Sequence, residues 1–186
     1  MTGPLRIAIA AALMTAALVY MIWDRMSLVT TGRVVTLQVV PVDPRDMFRG
    51  DYVVLSYKIS RLDLNQLPGD SDFEGRGTIY VTLEPKDGVW DAVSVSRKMP
   101  NAAPSQAVIR GAITGAYRNS QEDKETTVSI EYGIESFFVP EGKGRPIEDE
   151  RNKDNVTVDV ALGSDGRAAI KTLKIAGEAV HSETLF

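Results

Sequence analysis

Two hydropathy patterns divide this chain. Residues 7–23, IAIAAALMTAALVYMIW, are an unbroken apolar run with neither a charge nor a proline. A helix rises about 1.5 Å per residue, so a run of this length approaches a hydrocarbon core of roughly 30 Å, and Leu5 extends it. From Arg33 onward the period falls to two: Val35, Leu37 and Val39 alternate with Thr36 and Gln38, the pattern of a half-buried strand. The same reading predicts strands over 51–59, 78–84, 89–98, 107–117, 126–135, 156–162 and 168–175. Ser164, Asp165 and Gly166 join the last two as a hairpin. Residues 60–77 and 99–105 read as loops, the first with a helical turn over 62–67, and Pro146 opens a short helix over 146–152. The expected fold is mainly β: a single antiparallel barrel or sandwich with one short helix, preceded by a transmembrane helix. The expected division is 1–27 as the anchor and 28–186 as an extracytoplasmic β-rich domain.

The apolar run has two readings. Small residues such as Ala10, Ala12, Ala16 and Ala17 would suit a cleaved signal peptide. The run, however, continues to Trp23 with no polar stretch to present a cleavage site, which favours an uncleaved anchor held in the lipid bilayer through residues 7–23. Arg6 snorkels at one end, and Tyr20 and Trp23 suit the other interface. Arg25 is offset by Asp24, so the positive-inside preference places the N-terminus in the cytoplasm and the main domain outside it. The 186-residue chain has a net charge of −4, and beyond residue 27 it holds 19 basic against 24 acidic groups. That balance is a poor footprint for nucleic acid. There is no cysteine, so the domain depends on no disulfide.

Candidate chemistry concentrates in the segment 41–57, where Asp43, Arg45, Asp46, Arg49 and Asp51 crowd into nine residues ahead of Tyr52. Three carboxylates on a turn can bind a cation or move protons, but the interleaved arginines oppose a metal and can satisfy the acids as a paired corner. This cluster with Tyr52 is the candidate polar site. No catalytic residue, cofactor or metal site is assigned. His181 is the lone histidine and reads as a solvated tail residue, leaving zinc and a serine–histidine triad without ligands or base. The order of an anchor, Arg49-Gly50-Asp51, Lys58 and then Leu67-Pro68-Gly69-Asp70 is similar to that of signal-peptidase-like serine peptidases. Ser27 and Lys58 are the residues such a hydrolase, or an inactive relative of one, would offer, although Met26-Ser27 reverses the expected Ser-Met order.

A closer resemblance runs through most of the chain. The string GDYVVLSY at 50–57 resembles the signature of the GDYxxLxY family of bacterial membrane-anchored proteins. The likeness extends to Thr31-Gly32-Arg33-Val34, to PVDPRD at 41–46, to FVPEG at 138–142 and to Asp165-Gly166-Arg167-Ala168. The resemblance implies an envelope protein of the inner membrane accompanying a multi-pass membrane protein, with no biochemical activity attached. In the string itself, Val53, Leu55, Tyr57 and Ile59 are expected to face the core, with Gly50 permitting the turn.

Overall fold

The computed structural model describes residues 3–40, 52–71, 73, 76–118, 125–138 and 156–182. One long helix, α1 (Gly3–Thr31), leads into a β domain whose named strands pair antiparallel, with one parallel bridge between Gly69 and Val95. Its strands are β1 (Arg33–Val40), β2 (Tyr52–Val54), β3 (Ser56–Tyr57), β4 (Arg61–Asp63), β5 (Thr78–Lys86), β6 (Val89–Ser96), β7 (Ala107–Arg118), β8 (Glu125–Glu131), β9 (Ser136–Phe138), β10 (Val156–Leu162), β11 (Ala168–Ile175) and β12 (Glu178–Ser182). The first sheet runs β12-β11-β10-β1-β3, the second β4-β8-β7-β5-β6, and β2 pairs with β9 as a separate ribbon.

The two five-stranded sheets share one core. From the first come Val35, Leu37, Val39, Val156, Val158, Val160 and Leu173, and from the second Ile79, Val81, Leu83, Ile109, Val128 and Ile130, all buried in a single cluster. Alternation explains most of this, because a strand sends every second side chain to one face, as Val35, Leu37 and Val39 of β1 show. On that outer face of the first sheet Thr36 donates to Asp159 at 2.8 Å, and Lys174 pairs with Asp159 at 2.6 Å. Pro85 sits in β5 beyond Leu83, the last residue paired with β7, so its missing N–H removes no ladder bond on that side.

The sandwich class is as expected, while several elements differ. The stretch read as one strand over 51–59 is two strands and a 3-10 turn (Lys58–Ser60). At Leu55 the chain changes partner, from β9 to β1. The helical turn expected over 62–67 begins instead as β4, paired with β8. A twelfth strand follows the Ala176–Gly177 turn, whose residues have φ of 49° and 84°, and it carries His181 opposite Leu173. His181 is thus a strand residue, not a tail residue. The short helix expected over 146–152 lies outside the described residues.

The helix is not tethered by a loose link. Its large apolar residues from Leu5 to Trp23 are exposed on all sides, between 41% and 72% for those that stand out most. Leu28 and Val29, by contrast, are buried against Ala169. Ala161 and Ala169 face each other across β10 and β11. Two methyl groups on the outer face of a sheet leave a shallow seat, and the last turns of α1 occupy it.

Candidate functional site

Of the predicted polar site, Asp43, Arg45, Asp46, Arg49 and Asp51 lie outside the described residues. Tyr52 opens β2, with its backbone opposite Phe138. The described flanks place the signature string in the fold. β1 starts at the helix and runs away from it for eight residues, and β3 pairs with its last two. At about 3.3 Å per residue the six steps from Arg33 to Val39 span ~20 Å, so Ser56 and Tyr57 sit at the end of β1 remote from α1.

There, Leu55 and Tyr57 are each 1% exposed. The Tyr57 hydroxyl donates to the Ile134 carbonyl at 2.6 Å, and the Tyr132 hydroxyl donates to the Ile59 carbonyl at 2.7 Å. The Leu55 amide donates to the Glu135 carbonyl at 2.6 Å. Two reciprocal tyrosines thus clasp 57–59 to 132–134, where the first sheet meets the second. Burial, and after it the Glu135 carboxylate, pushes both phenols far above the ordinary tyrosine range. Both stay neutral donors at working pH, which suits a structural bond and not proton transfer. The string was legible; Tyr132 was missed because its partner is distant in sequence.

The more open site is at the other end, where α1 meets the sheets. The Asp165-Gly166-Arg167-Ala168 motif builds most of it. Asp165 Oδ1 accepts from the Arg167 amide at 3.1 Å, closing the turn. Gly166 has φ of 80°, and its carbonyl accepts from the Arg110 amide at 2.8 Å. A Cβ here would come within 3.1 Å of Arg110 backbone, so glycine is required twice over. The Arg167 guanidinium forks onto Asp24 of the helix, at 2.5 and 3.0 Å, and onto Asp165 at 2.5 Å. The two carboxylates, Asp24 and then Asp165, raise the Arg167 pKa further above its ordinary value. For Asp165, burial opposes ionisation, but the Arg167 amide and guanidinium outweigh it and hold the carboxyl below its usual range.

The Thr31-Gly32-Arg33-Val34 motif builds the rest. Thr31 Oγ1 donates to the Ser27 carbonyl at 2.8 Å, and the Gly32 amide to the Leu28 carbonyl at 3.0 Å, closing the helix. A Cβ on Gly32 would run into the Leu28 carbonyl oxygen and press on Ala161 and Leu162. Arg33 lies 5.1 Å from the Trp90 ring and donates to the Gln106 carbonyl at 2.6 Å. Two clefts flank the helix end. One, of about 930 Å³, is lined by Trp23, Ser27, Arg33, Met99, Asn101 and Arg167. The other, of about 460 Å³, is lined by Arg25, Arg110, Glu131, Tyr132 and Arg167. Sequence reasoning could not group these arginines, because four separate elements bring them together.

The hydrolase pair is not assembled. Ser27 is in the cleft at the helix base, whereas Lys58 follows Tyr57 at the remote end of β1 and pairs with Asp91 at 2.8 Å. Among the described residues no cluster of His, Asp or Glu has the arrangement of a metal site.

No curated protein and no solved structure matches this chain. A family model does, the one described as GDYXXLXY protein, over residues 14–173. That span begins within α1 and ends in β11, taking in the helix seat, the arginine junction and the tyrosine clasp, and so the chain belongs to the GDYXXLXY family.

Proposed function

We propose that this chain is a single-pass protein of the bacterial inner membrane, anchored through residues 7–23, whose extracytoplasmic domain (28–186) is a binding or assembly module for a multi-pass membrane protein. The observation that carries this reading is the jointless passage from α1 into the domain: Leu28 and Val29 are buried on the sheet, and Arg167 is bonded to Asp24. An enzyme acting on diffusing substrates draws no advantage from a fixed pose over the bilayer. A module that must meet a partner in the same membrane does, because orientation fixed in advance lowers the freedom lost on docking. The charged segment with Asp43, Arg45, Asp46, Arg49 and Asp51, next to Tyr52, follows the remote end of β1 and is proposed as the contact surface for that partner.

Co-purification of the full chain from membranes in mild detergent, after in-cell crosslinking, tests this. One reproducible membrane-protein partner is expected, and its yield should fall in the charge-reversed variant D46K/R49E. A monomer with no reproducible partner overturns the proposal, and labelling of the purified chain by a reactive-serine probe would point to a hydrolase instead.

A further inference from the structure

The charges around the base of α1 do not follow those of the chain. The whole protein has a net charge of −4, yet the charged residues lining the two flanking clefts are Arg25, Arg33, Arg110 and Arg167 against Asp24, Glu131 and Asp165. Both aspartates are already bonded by Arg167. The other three arginines therefore face one carboxylate. Among the described residues the Arg25 side chain makes one long bond, 3.4 Å, to the Ala168 carbonyl. Arg110 is exposed and makes no side-chain bond or ion pair among the described residues. Arg33 has one N–H on a carbonyl and its face on Trp90, which leaves most of its five donors open.

The height of this group along the helix matters as much as its charge. Tyr20 and Trp23, with ring centroids 6.4 Å apart, end the exposed apolar stretch, and amphipathic rings of that kind settle at headgroup level. Trp23 and Asp24 line the larger cleft, and Asp24 and Arg25 the smaller. If α1 spans a bilayer, as proposed above, both clefts open at the level of the lipid phosphates.

From this we infer that the arginine collar around the base of α1, chiefly Arg25, Arg33 and Arg110, binds the phosphates of anionic phospholipid headgroups and seats the domain on the membrane surface. A guanidinium fork matches phosphate oxygens in geometry as well as charge. The lock formed by Arg167 with Asp24 and Asp165 holds the collar at a fixed height. The family motifs at 31–34 and 165–168 thereby have a common purpose: they position cations around a helix at the point where it leaves the bilayer.

The test uses the intact chain in phosphatidylcholine bilayers, with brominated phosphatidylglycerol or brominated phosphatidylcholine as quencher of Trp23. Incorporation resistant to alkaline extraction is measured first, and its failure would remove the anchor reading itself. With incorporation established, wild type is expected to be quenched preferentially by the anionic lipid, and the preference should weaken as salt is raised. A basic residue near an anionic surface contributes up to about fivefold, so R110Q should lower the preference by up to that factor and R25Q/R110Q should bring it close to unity. K174Q, whose lysine lies six residues along β11 from Ala168 and pairs with Asp159, should leave it unchanged. Equal quenching by both lipids in wild type, an unchanged preference in R25Q/R110Q, or abolition of the preference by millimolar inorganic phosphate at constant ionic strength would each overturn the assignment.

Discussion

The tyrosine clasp gives the sharpest test of what the signature string is for. Tyr57→Phe keeps the ring, so the packing of a side chain that is 1% exposed stays intact, and only the 2.6 Å bond to the Ile134 carbonyl is lost. That carbonyl belongs to a residue 2% exposed, beyond easy reach of water. Leaving a buried acceptor without its donor costs about 1–3 kcal/mol. For a domain of this size each kcal/mol moves Tm by roughly 2–4 °C, so a central cost of ~2 kcal/mol predicts a fall of about 4–8 °C. Tyr132→Phe loses the reciprocal bond and should behave alike. Since both bonds join the same two segments, the double variant should lose less than the sum, with a coupling of at least ~0.5 kcal/mol. Thermal unfolding of the full chain in one detergent, followed by far-ultraviolet circular dichroism, reads all four proteins. If Tyr57→Phe moved Tm by less than about 1 °C, the hydroxyl would not be holding the fold, and a functional role for the naming tyrosine would have to be reopened. If partner co-purification is lost in Tyr57→Phe but kept in an equally destabilised Tyr132→Phe, the clasp reasoning fails in the same way.

Three further outcomes follow from the described contacts. Gly32→Ala should lower stability by about 1–3 kcal/mol through overpacking, since its Cβ meets backbone and Ala161; thermal unfolding checks it, with membrane incorporation unchanged. Tyr57 and Tyr132 have raised pKa values in the fold, so their contribution is present below the unfolded tyrosine value of about 10 and is lost as pH rises beyond it. A spectrophotometric titration should therefore show two of the six tyrosines ionising only with unfolding. Asp165 has a lowered pKa, so its share of the Arg167 lock is present above the ordinary carboxylate range near 4 and is lost as pH falls through its depressed folded value. Wild type should lose more stability on acidification than Asp165→Asn, and equal losses would contradict the assignment.

How far the sequence foretold this molecule depends on where each side chain finds its partner. β10 and β11 are bounded as the alternation predicts, because each turns one face into the core and, outside the helix seat on Ala161 and Ala169, carries polar groups such as Asp159 and Lys174 on the other. The 51–59 stretch misled because its alternation runs unbroken through Leu55 while the hydrogen-bonding strand changes from β9 to β1. Which strand lies alongside is a non-local fact that a local period does not contain. β12 was missed for a related reason: only the Ala176–Gly177 turn marked it. The helix seat was hidden in two alanines, Ala161 and Ala169, that read as neutral until they are seen opposite each other, with Leu28 and Val29 packed on Ala169. The arginine collar was hidden likewise, since Arg25, Arg33, Arg110 and Arg167 share no stretch of chain.

The segments 31–34 and 165–168 lie where α1 meets the sheets, and Ser56 and Tyr57 of the signature string pair with the other end of β1. At the remote end Leu55 and Tyr57 are buried and the Tyr57 hydroxyl bonds a backbone carbonyl, as does that of Tyr132, which also lines the smaller cleft; their demands are met within the fold. At the near end Gly32, Gly166, Asp165 and Arg167 are also satisfied internally, but the groups they position, Arg25, Arg33 and Arg110, are exposed. Residues that exhaust their bonds inside a protein account for its shape, whereas exposed guanidiniums with few internal bonds keep donors available to an outside ligand. On that ground the helix base is the proposed lipid site, and the Asp43 to Asp51 segment, which lies outside the described residues, stays the proposed partner surface. D46K/R49E and R25Q/R110Q separate the two. The first is expected to impair partner capture with lipid preference intact, and the second the reverse. Loss of both properties in either variant would mean that the two ends do not act independently.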